Sequence, residues 1–242
     1  MKAFNIYPVG ESTLTVSFGN AIDPEINKKV FQLYDRLLQV RHPSWLDIIP
    51  AYSTLSIVYD VYAIRQQHSS AFDWVKRELE QILSVGMGNK ETQARKLQIP
   101  VCYDAEFALD AGHISKEKNI SVDELIKIHT SKVYQVFMIG FLPGFAYMGS
   151  VDSRIATPRL ATPRTTIAAG SVGIAGEQTG IYPLDSPGGW NIIGRTPLNV
   201  FDLNSDQPVL FQPGDEIKFL PITKTAFQSF DRATYNAIVH EH

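Results

Sequence analysis

The fold of this chain is decided by a stretch that opens with Ile139-Gly-Phe-Leu-Pro-Gly-Phe-Ala-Tyr147 and closes with Gly194-Arg-Thr-Pro197. Its 59 residues contain ten of the sixteen glycines in the chain, four arginines and no lysine. Glycine permits positive φ and proline fixes φ, so together they hold loops in one shape without a helix or sheet ladder. We therefore predict ordered loops that carry function. The alternative is a β-rich domain in which glycine and proline only mark turns.

The second part of the chain, which contains this stretch, has the pattern of a mainly β domain. Short apolar runs separated by turn signals predict a barrel or a sandwich. We place strands at 97–103, 166–169, 172–175, 190–193, 209–211 and 216–220. Between the first and second of these strands, helical sequence continues to His129 and includes the capping-box pattern Ser121-Val-Asp-Glu124. A helix over 227–237 is predicted to close the chain.

The first part of the chain combines two strands with two amphipathic helices. We place the strands at 13–18 and 54–59 and the helices at 23–39 and 70–84. Asp23 and Pro24 supply a start signal for the first helix, and Gly86 a stop signal for the second. This order predicts an α+β sandwich with both helices on one face of an antiparallel sheet.

A polar, glycine-containing run separates the two parts. Residues 86–93 have no apolar periodicity, which is typical of a linker. The sequence therefore predicts a domain boundary near residue 90, with one domain at 1–90 and another at 91–242.

Composition limits the classes of protein to which the chain can belong. Its 242 residues are 44% hydrophobic and carry a net charge of -3, so we expect neither nucleic acid nor an anionic membrane as a partner. The single cysteine, Cys102, cannot form an intrachain disulfide, and the first residues lack the apolar core of a signal peptide. We expect a cytoplasmic protein.

Three arginines of the glycine-rich stretch are candidate anion ligands. Arg159 and Arg164 lie in a tandem Ala-Thr-Pro-Arg repeat, and Arg195 follows in Gly-Arg-Thr-Pro. A guanidinium matches the geometry of a carboxylate or phosphate, and the preceding proline stiffens the loop in the two repeats. Convergence of the three would form an oxyanion pocket. The alternative is three surface ion pairs, formed with Asp152, Asp185 or Asp202.

A second candidate is a backbone anion site around Gly170 and Ser171. Gly170, Gly173 and Gly176 recur at a spacing of three, which matches neither a Walker phosphate loop nor a dinucleotide fingerprint. Consecutive amide groups could still form an anion-binding nest. The alternative is a pair of β-turns that flank a strand.

His129 precedes the glycine-rich stretch and is a candidate acid or base near its mouth. The alternative is a histidine that caps the end of its helix. The histidines and Cys102 have no metal-ligand spacing, so no metal site is predicted. Ser and Cys nucleophile motifs are also missing, and covalent catalysis is not indicated.

Aromatic residues alternate with glycine and proline through the same stretch. We predict that they wall a pocket or form an interface, whereas the alternative is packing in the barrel core. The residues in this group are Phe141, Pro143, Phe145, Tyr147, Tyr182, Pro187, Gly188, Gly189 and Trp190.

These motifs carry a family resemblance. The chain resembles the PxpB/KipI family, also called allophanate hydrolase subunit 1 or carboxyltransferase domain subdomains C and D. The matching motifs are Phe137-Met-Ile-Gly-Phe-Leu-Pro-Gly-Phe-Ala-Tyr147, the two Pro-Arg pairs, Ala169-Gly-Ser-Val-Gly-Ile-Ala-Gly176, Gln178-Thr-Gly-Ile-Tyr-Pro183 and Ser186-Pro-Gly-Gly-Trp-Asn-Ile-Ile-Gly-Arg-Thr-Pro197. Gly10-Glu-Ser12 and Ile49-Pro-Ala-Tyr-Ser-Thr-Leu55 extend the resemblance over essentially the whole chain.

The resemblance implies both a fold and a function. The fold is a ferredoxin-like α+β domain followed by a cyclophilin-like β-barrel domain. The function is that of the B subunit in an ATP-dependent 5-oxoprolinase, which acts with subunits A and C to open 5-oxo-L-proline to L-glutamate. ATP is then a co-substrate of the complex. A KipI-like inhibitor of a sporulation sensor histidine kinase is the alternative, because fold alone does not decide function.

Carboxyl transfer within a urea carboxylase is a third reading of the resemblance. It would need a biotin carrier elsewhere, because the chain has no Met-Lys-Met attachment motif.

On the 5-oxoprolinase reading, the candidate residues receive roles. Arg159 and Arg195 are catalytic, with His129 as a proton-transfer group. Arg164, Gly170, Ser171 and Gln178 bind substrate or phosphate. The aromatic group shapes the pocket or the contact with the C subunit.

Overall fold

The computed structural model describes residues 4–84 and 94–231, which form two compact units. One unit lies within Met1–Gln93 and the other within Ala94–His242. The boundary predicted near residue 90 and the helix stop predicted at Gly86 lie outside the described residues. Within the described ranges, no helix has the length and apolar character needed to cross a membrane.

Over residues 4–84, the first unit contains one antiparallel sheet and three helices. Its strands are β1 (Asn5–Pro8), β2 (Thr13–Ser17), β3 (Trp45–Pro50) and β4 (Thr54–Tyr59), and its helices are α1 (Pro24–Gln39), α2 (Val61–Arg65) and α3 (Ala71–Ser84). The strands lie in the order β1-β2-β4-β3. The chain leaves β2, passes through α1 and returns in β3, so that β4 lies between the two connected strands.

Local sequence explains most of these elements. The Asp23 carboxylate accepts hydrogen bonds from the amides of Glu25 (2.8 Å) and Ile26 (3.0 Å), which caps α1 as predicted. Strands β2 and β4 and the helices α1 and α3 agree with the predicted ranges to within one residue. The sequence pattern does not predict strand β3, because a register shift between Trp45 and Asp47 breaks its apolar alternation.

The second unit is built around a closed barrel. Its strands are β5 (Lys96–Cys102), β6 (Val133–Ile139), β7 (Ala146–Gly149), β8 (Arg164–Ile167), β9 (Ser171–Ala175), β10 (Gln178–Ile181), β11 (Ser186–Gly188), β12 (Asn191–Arg195) and β13 (Glu216–Ile222), and its helices are α4 (Ala111–Lys118), α5 (Val122–Ser131) and α6 (Lys224–Gln228). Seven strands close the barrel in the order β10-β7-β6-β13-β5-β12-β9. β13 pairs with β5 in parallel, and the other barrel pairs are antiparallel. Strands β8 and β11 form a separate two-stranded ribbon.

The mainly β prediction for this unit is confirmed, with local corrections. The strand predicted at 209–211 is wrong, because Val209 forms only an isolated bridge with Phe201. Strand β8 begins two residues before its predicted start. Of the helix predicted at 227–237, α6 covers only the beginning, and residues 232–242 lie outside the described ranges. The predicted cap of α5 is confirmed, since the Ser121 hydroxyl accepts from the Glu124 amide at 3.0 Å.

Candidate functional site

A cluster of aromatic side chains covers part of the barrel's outer surface. Ala146 and Met148 of β7 belong to the main barrel core, whereas Phe145, which directly precedes β7, and Tyr147 belong to a separate apolar cluster, because alternate residues of an extended chain face opposite sides. Phe145 is at its centre. Its ring lies 4.9 Å from Tyr147, 5.3 Å from Tyr182 and 5.3 Å from Trp190, in edge-to-face arrangements that favour aromatic contact.

Glycines in neighbouring strands give these rings their space. Gly173 of β9 and Gly180 of β10 are paired directly across the ladder. A Cβ on Gly180 would lie 3.2 Å from the rings of both Phe145 and Trp190, and one on Gly173 would lie 3.0 Å from the Cβ of Trp190. The absence of a side chain at Gly173 and Gly180 therefore leaves room for Phe145 and Trp190 to pack.

Phe141 extends from this cluster into solvent. It is 63% exposed and contacts Phe145 edge-on with ring centroids 5.6 Å apart. The Leu142 amide donates to the Gly140 carbonyl at 2.9 Å and closes a γ-turn around Phe141, whose φ is 70°. A bulky side chain rarely adopts this strained conformation, and such strain concentrates at functional sites. The turn holds an exposed aromatic ring in one place.

The loop that carries Arg159 is fastened on both sides of that residue. The Asn191 side-chain amide donates to the Pro158 carbonyl at 2.7 Å, and the Leu160 amide donates to the Gly189 carbonyl at 2.7 Å. Trp190 lies between the two residues that make these bonds. The exposed Arg159 side chain thus extends from a fixed backbone beside the aromatic cluster.

The Arg159 guanidinium acts electrostatically on two tyrosines of the cluster. Burial raises the pKa of Tyr147 and of Tyr182, and the nearby positive charge of Arg159 opposes both shifts. Within residues 4–84 and 94–231, the Arg159 side chain forms neither a hydrogen bond nor an ion pair. It is therefore a cation available to an external anion.

Arg164 is engaged by an internal carboxylate. Its two terminal nitrogens donate to Asp110 at 2.9 and 2.7 Å, and Asp110 is buried. This partner is not among the carboxylates considered from the sequence, and one of those, Asp152, instead binds Arg154, whose hydrogen bonds lower the pKa of that carboxyl to about 2. Arg164 thus forms part of the framework beside Tyr182, and its charge opposes the rise in pKa that burial causes in that tyrosine.

Arg195 lies beside the turn that contains Gly170. Its Nε donates to the Ala169 carbonyl at 2.8 Å, and a Cβ on Gly170 would lie only 2.5 Å from the Thr196 carbonyl oxygen. Gly170 also has a φ of 82°, so both its conformation and its surroundings require glycine.

The amides of that turn are already occupied. The Ala169 amide donates to the Asp185 carboxylate, the Gly170 amide to the Tyr182 carbonyl, and the Ser171 amide to the Ala168 carbonyl. The predicted anion nest at Gly170 and Ser171 therefore uses its donors inside the chain. Gln178, a further predicted ligand, begins β10 and is paired with Gly149 and Ala175.

His129 lies in the apolar interior and not at the mouth of the glycine-rich stretch. Its ring is fully buried and stacks on Phe219 at 4.7 Å. The Thr179 hydroxyl donates to the Gly173 carbonyl at 3.0 Å and therefore accepts from His129 Nε2 at 3.1 Å. His129 Nδ1 then accepts from the Tyr103 hydroxyl at 2.9 Å. Burial lowers the pKa of His129 to about 3, which keeps the ring neutral.

The remaining predicted residues lie around the aromatic cluster. A Cβ on Gly188 would lie 2.3 Å from the Tyr182 hydroxyl, so this residue must stay small, and the Gly189 carbonyl holds the Arg159 loop. Pro143 lies in the turn after Phe141, and Pro187 in β11, and both are exposed. Within the described ranges, no group of three or more potential ligands could hold a metal ion.

Sequence reasoning missed Asp110 and Asn191, which bind the loops that carry Arg164 and Arg159. Asp110 is 54 residues from Arg164, and Asn191 is 33 from Pro158. Neither belongs to a motif with its partner. The one local signal was an aspartate placed directly before the helix α4.

Comparisons with known proteins cover most of the chain. Residues 4–211 match the family described as carboxyltransferase domain, subdomain C and D. The chain is 38% identical over 231 residues to a Bacillus subtilis protein named as the B subunit of 5-oxoprolinase, covering 94% of this chain and 96% of that protein.

Two solved structures are also similar. A conserved uncharacterized protein from Pyrococcus horikoshii is 40% identical, with a TM-score of 0.54 and coverage of 92% of this chain and all of that one. The urea amidolyase of Kluyveromyces lactis has a TM-score of 0.75 at 19% identity over 96% of this chain. This chain spans only 16% of that enzyme, and the likeness concerns the fold alone.

Proposed function

Since the chain belongs to the family of carboxyltransferase domain subdomains C and D, we propose that it is the B subunit of an ATP-dependent 5-oxoprolinase. It acts with subunits A and C in the cytoplasm to open 5-oxo-L-proline to L-glutamate. The observation that carries the proposal is the near-complete match to a protein named as the B subunit of 5-oxoprolinase, which covers 94% of one chain and 96% of the other. A match of that extent includes residues of both compact units.

The proposal includes the finer fold and the domain limits. We assign the domain at 1–90 to the ferredoxin-like class, supported by the β2-α1-β3 connection around β4. We assign the domain at 91–242 to the cyclophilin-like class, supported by its closed barrel.

The reaction needs stabilisation of developing negative charge. A lactam carbonyl is a poor electrophile, and transfer of the γ-phosphoryl group of ATP to its oxygen creates a leaving group, with release of ADP. Water then adds to the carbon, and cleavage of the ring C–N bond with protonation of the nitrogen leaves an acyl phosphate. A second water hydrolyses this acyl phosphate to glutamate and inorganic phosphate. An arginine near the reacting group can hold a carboxylate or a phosphoryl oxygen during these steps.

Arg159 is the residue that suits this role best. Its guanidinium is exposed, has no internal anion among the described residues and is mounted on a fixed backbone. Arg195 can add a second donor, because the only hydrogen bond of its side chain within the described ranges is made by Nε. Arg164, bound to Asp110, positions the loop.

His129 is given a structural role in this proposal. Its ring is fully buried, and both ring nitrogens are hydrogen-bonded to side chains of the protein. A group in direct proton exchange with substrate must come within hydrogen-bond reach of it. We therefore propose that His129 stabilises the barrel and does not exchange protons with substrate.

Assembly with subunits A and C is tested by co-expressing the three chains and purifying through a tag on the A subunit. The proposal expects this chain to co-purify in a fixed stoichiometry. Recovery of a complex of the other two chains that excludes this one would contradict it.

Phe141 gives the assembly a specific test. Its exposed ring projects into solvent from a strained turn, which suits contact with a partner protein better than contact with a small substrate. Exposed aromatic side chains of this kind often contribute most of the binding energy of a protein interface. We expect Phe141→Ala to weaken binding to the C subunit by about tenfold or more, measured by titration calorimetry, because truncating such an anchor costs roughly 2 kcal/mol.

The matched control is Leu203→Ala, which removes another highly exposed apolar side chain from the same unit. Binding by this variant should equal that of the unmodified chain. Equal losses in Phe141→Ala and Leu203→Ala would show that the effect is not specific to the γ-turn.

A further inference from the structure

Asp110 occupies a helix-capping position without capping the helix. It precedes α4 with φ of -115° and ψ of -1°, and its side chain makes no hydrogen bond to the first amides of that helix. An aspartate at this position ordinarily accepts such a bond and stabilises the helix. The carboxylate is directed elsewhere, and departures from a local rule concentrate at functional sites.

All of the observed bonds of this carboxylate go to the framework of the candidate site. Arg164 donates two bonds, at 2.9 and 2.7 Å, and the Ile192 amide donates a third at 2.6 Å. The Asp110 amide in turn donates to the Ile192 carbonyl at 2.8 Å. Asp110 thus joins α4 to the barrel strand β12 and to the ribbon strand β8.

The bond to Ile192 is made where β12 is irregular. The register of β12 against β9 shifts between Ile192 and Gly194, which is the signature of a bulge. A bulge changes the direction of neighbouring side chains, and it needs a partner for the amide that leaves the ladder. Asn191, which directly precedes Ile192, donates to the Pro158 carbonyl beside Arg159.

The ribbon end is fixed by the same carboxylate. Arg164 begins β8 and is paired with Gly188 of β11, which directly precedes Gly189. The Gly189 carbonyl accepts the Leu160 amide on the other side of Arg159. Both attachments of the Arg159 loop therefore lead back to Asp110 within a few residues.

We infer that Asp110 is a positioning residue, which sets the place of the Arg159 guanidinium through β12 and the β8–β11 ribbon. The expected loss of activity rests on the proposed function, whereas the expected release of the Arg159 loop rests on the hydrogen bonds alone. Loss of the link releases the loop around Arg159 and leaves the remainder of the barrel in place.

The chain provides a closely matched control in Asp215. This carboxylate is also buried, accepts two bonds from one arginine, Arg95, at 2.8 and 2.6 Å, and accepts the Gln212 amide at 2.7 Å. Asp215 lies next to the Lys96 end of β5, whereas Arg195 of the candidate site pairs with Cys102 at the opposite end of that strand. The two ends of a seven-residue strand are roughly 20 Å apart, so Asp215 is distant from this part of the candidate site.

The test compares Asp110→Asn with Asp215→Asn. In either variant a side-chain NH2 group, which donates hydrogen bonds, replaces a carboxylate oxygen that accepts them from N–H groups. Both variants should therefore lose thermal stability to a similar extent. Only Asp110→Asn should lower kcat/KM for 5-oxo-L-proline in the three-subunit complex, by about 10- to 100-fold, because a displacement near 1 Å can cost 100-fold. Equal kinetic losses in the two variants, or no loss in Asp110→Asn, would overturn the inference.

Amide hydrogen exchange of the isolated chain gives a second measurement that needs no activity. We expect exchange at Leu160 and Ile192 to accelerate by tenfold or more in Asp110→Asn and to stay unchanged in Asp215→Asn. Unchanged exchange at both amides in Asp110→Asn would overturn the positioning role. If the unmodified complex makes no glutamate, the proposed function fails, and this comparison still decides the role of Asp110.

Discussion

Arg159→Ala is expected to reduce turnover of 5-oxo-L-proline by the three-subunit complex by about 100- to 1000-fold, the range seen when one charge-stabilising donor is removed from an active site. The guanidinium makes no hydrogen bond or ion pair within the described ranges, so its removal breaks no internal contact of that kind. The melting temperature of the chain should therefore remain within a degree or two of its original value, as for most exposed substitutions.

Two further variants give this result its meaning. Arg159→Lys keeps the charge but loses the planar fork, so it should recover only part of the activity. Arg154→Ala removes another exposed arginine from the same unit, one that is paired with Asp152, and should leave turnover unchanged. An Arg159→Ala complex that is as active as the Arg154→Ala complex would remove Arg159 from the site.

The second large effect concerns acid stability and His129. The folded chain holds this histidine neutral with a pKa of about 3, because its ring is buried, whereas the unfolded chain protonates it near the ordinary value of 6.5. Between those two values the unfolded state binds the extra proton. The stabilisation is therefore fully present above pH 6.5 and is lost progressively as the pH falls toward 3. The loss between pH 7 and pH 4 is roughly 3 kcal/mol.

His129→Gln isolates this contribution. Glutamine does not titrate, so urea unfolding at pH 7 and pH 4 should show the difference between the two pH values shrinking by roughly 3 kcal/mol. The variant should also be less stable than the unmodified chain at pH 7, by about 2 to 4 kcal/mol, because the Tyr103 and Thr179 hydroxyls lose a well-placed partner.

An exposed histidine provides the control for that measurement. His113→Gln, on the neighbouring helix α4, should change the unfolding free energy at pH 7 by no more than about 0.5 kcal/mol. If His129→Gln keeps the full difference between pH 7 and pH 4, another group must be responsible for the acid sensitivity, and the buried neutral histidine is not its source.

Much of the fold could be predicted because its signals are local. Asp23 and Ser121 define helix starts through hydrogen bonds to amides two or three residues further along the chain. The glycines of the 139–197 stretch predicted shaped loops, whereas Gly173 and Gly180 lie in strands β9 and β10, where a Cβ would crowd Trp190 and, at Gly180, also Phe145. Strand β7 was harder to predict, because a strand that includes Ala146 and Gly149 has little β propensity of its own.

The site was only partly predictable, because its electrostatics depend on contacts between distant residues. Arg159 and Arg164 lie in identical Ala-Thr-Pro-Arg repeats, yet among the residues that the structure describes only Arg164 meets a carboxylate, 54 residues away at Asp110. His129 belongs to a helix whose apolar face enters the core, and its partners, Tyr103 and Thr179, are 26 and 50 residues away. Spacing along the sequence does not determine such pairings.

The central claim is that this chain is an obligatory part of a 5-oxoprolinase, and the most direct measurement is turnover with and without it. Subunits A and C are mixed with ATP and 5-oxo-L-proline, and the initial rates of ADP and glutamate release are measured as the chain is titrated in. We predict negligible glutamate without the chain and a rate that rises until the three subunits are stoichiometric. Glutamate formation that is independent of the chain would contradict the claim, and inhibition of sensor histidine kinase autophosphorylation would then become the function to measure.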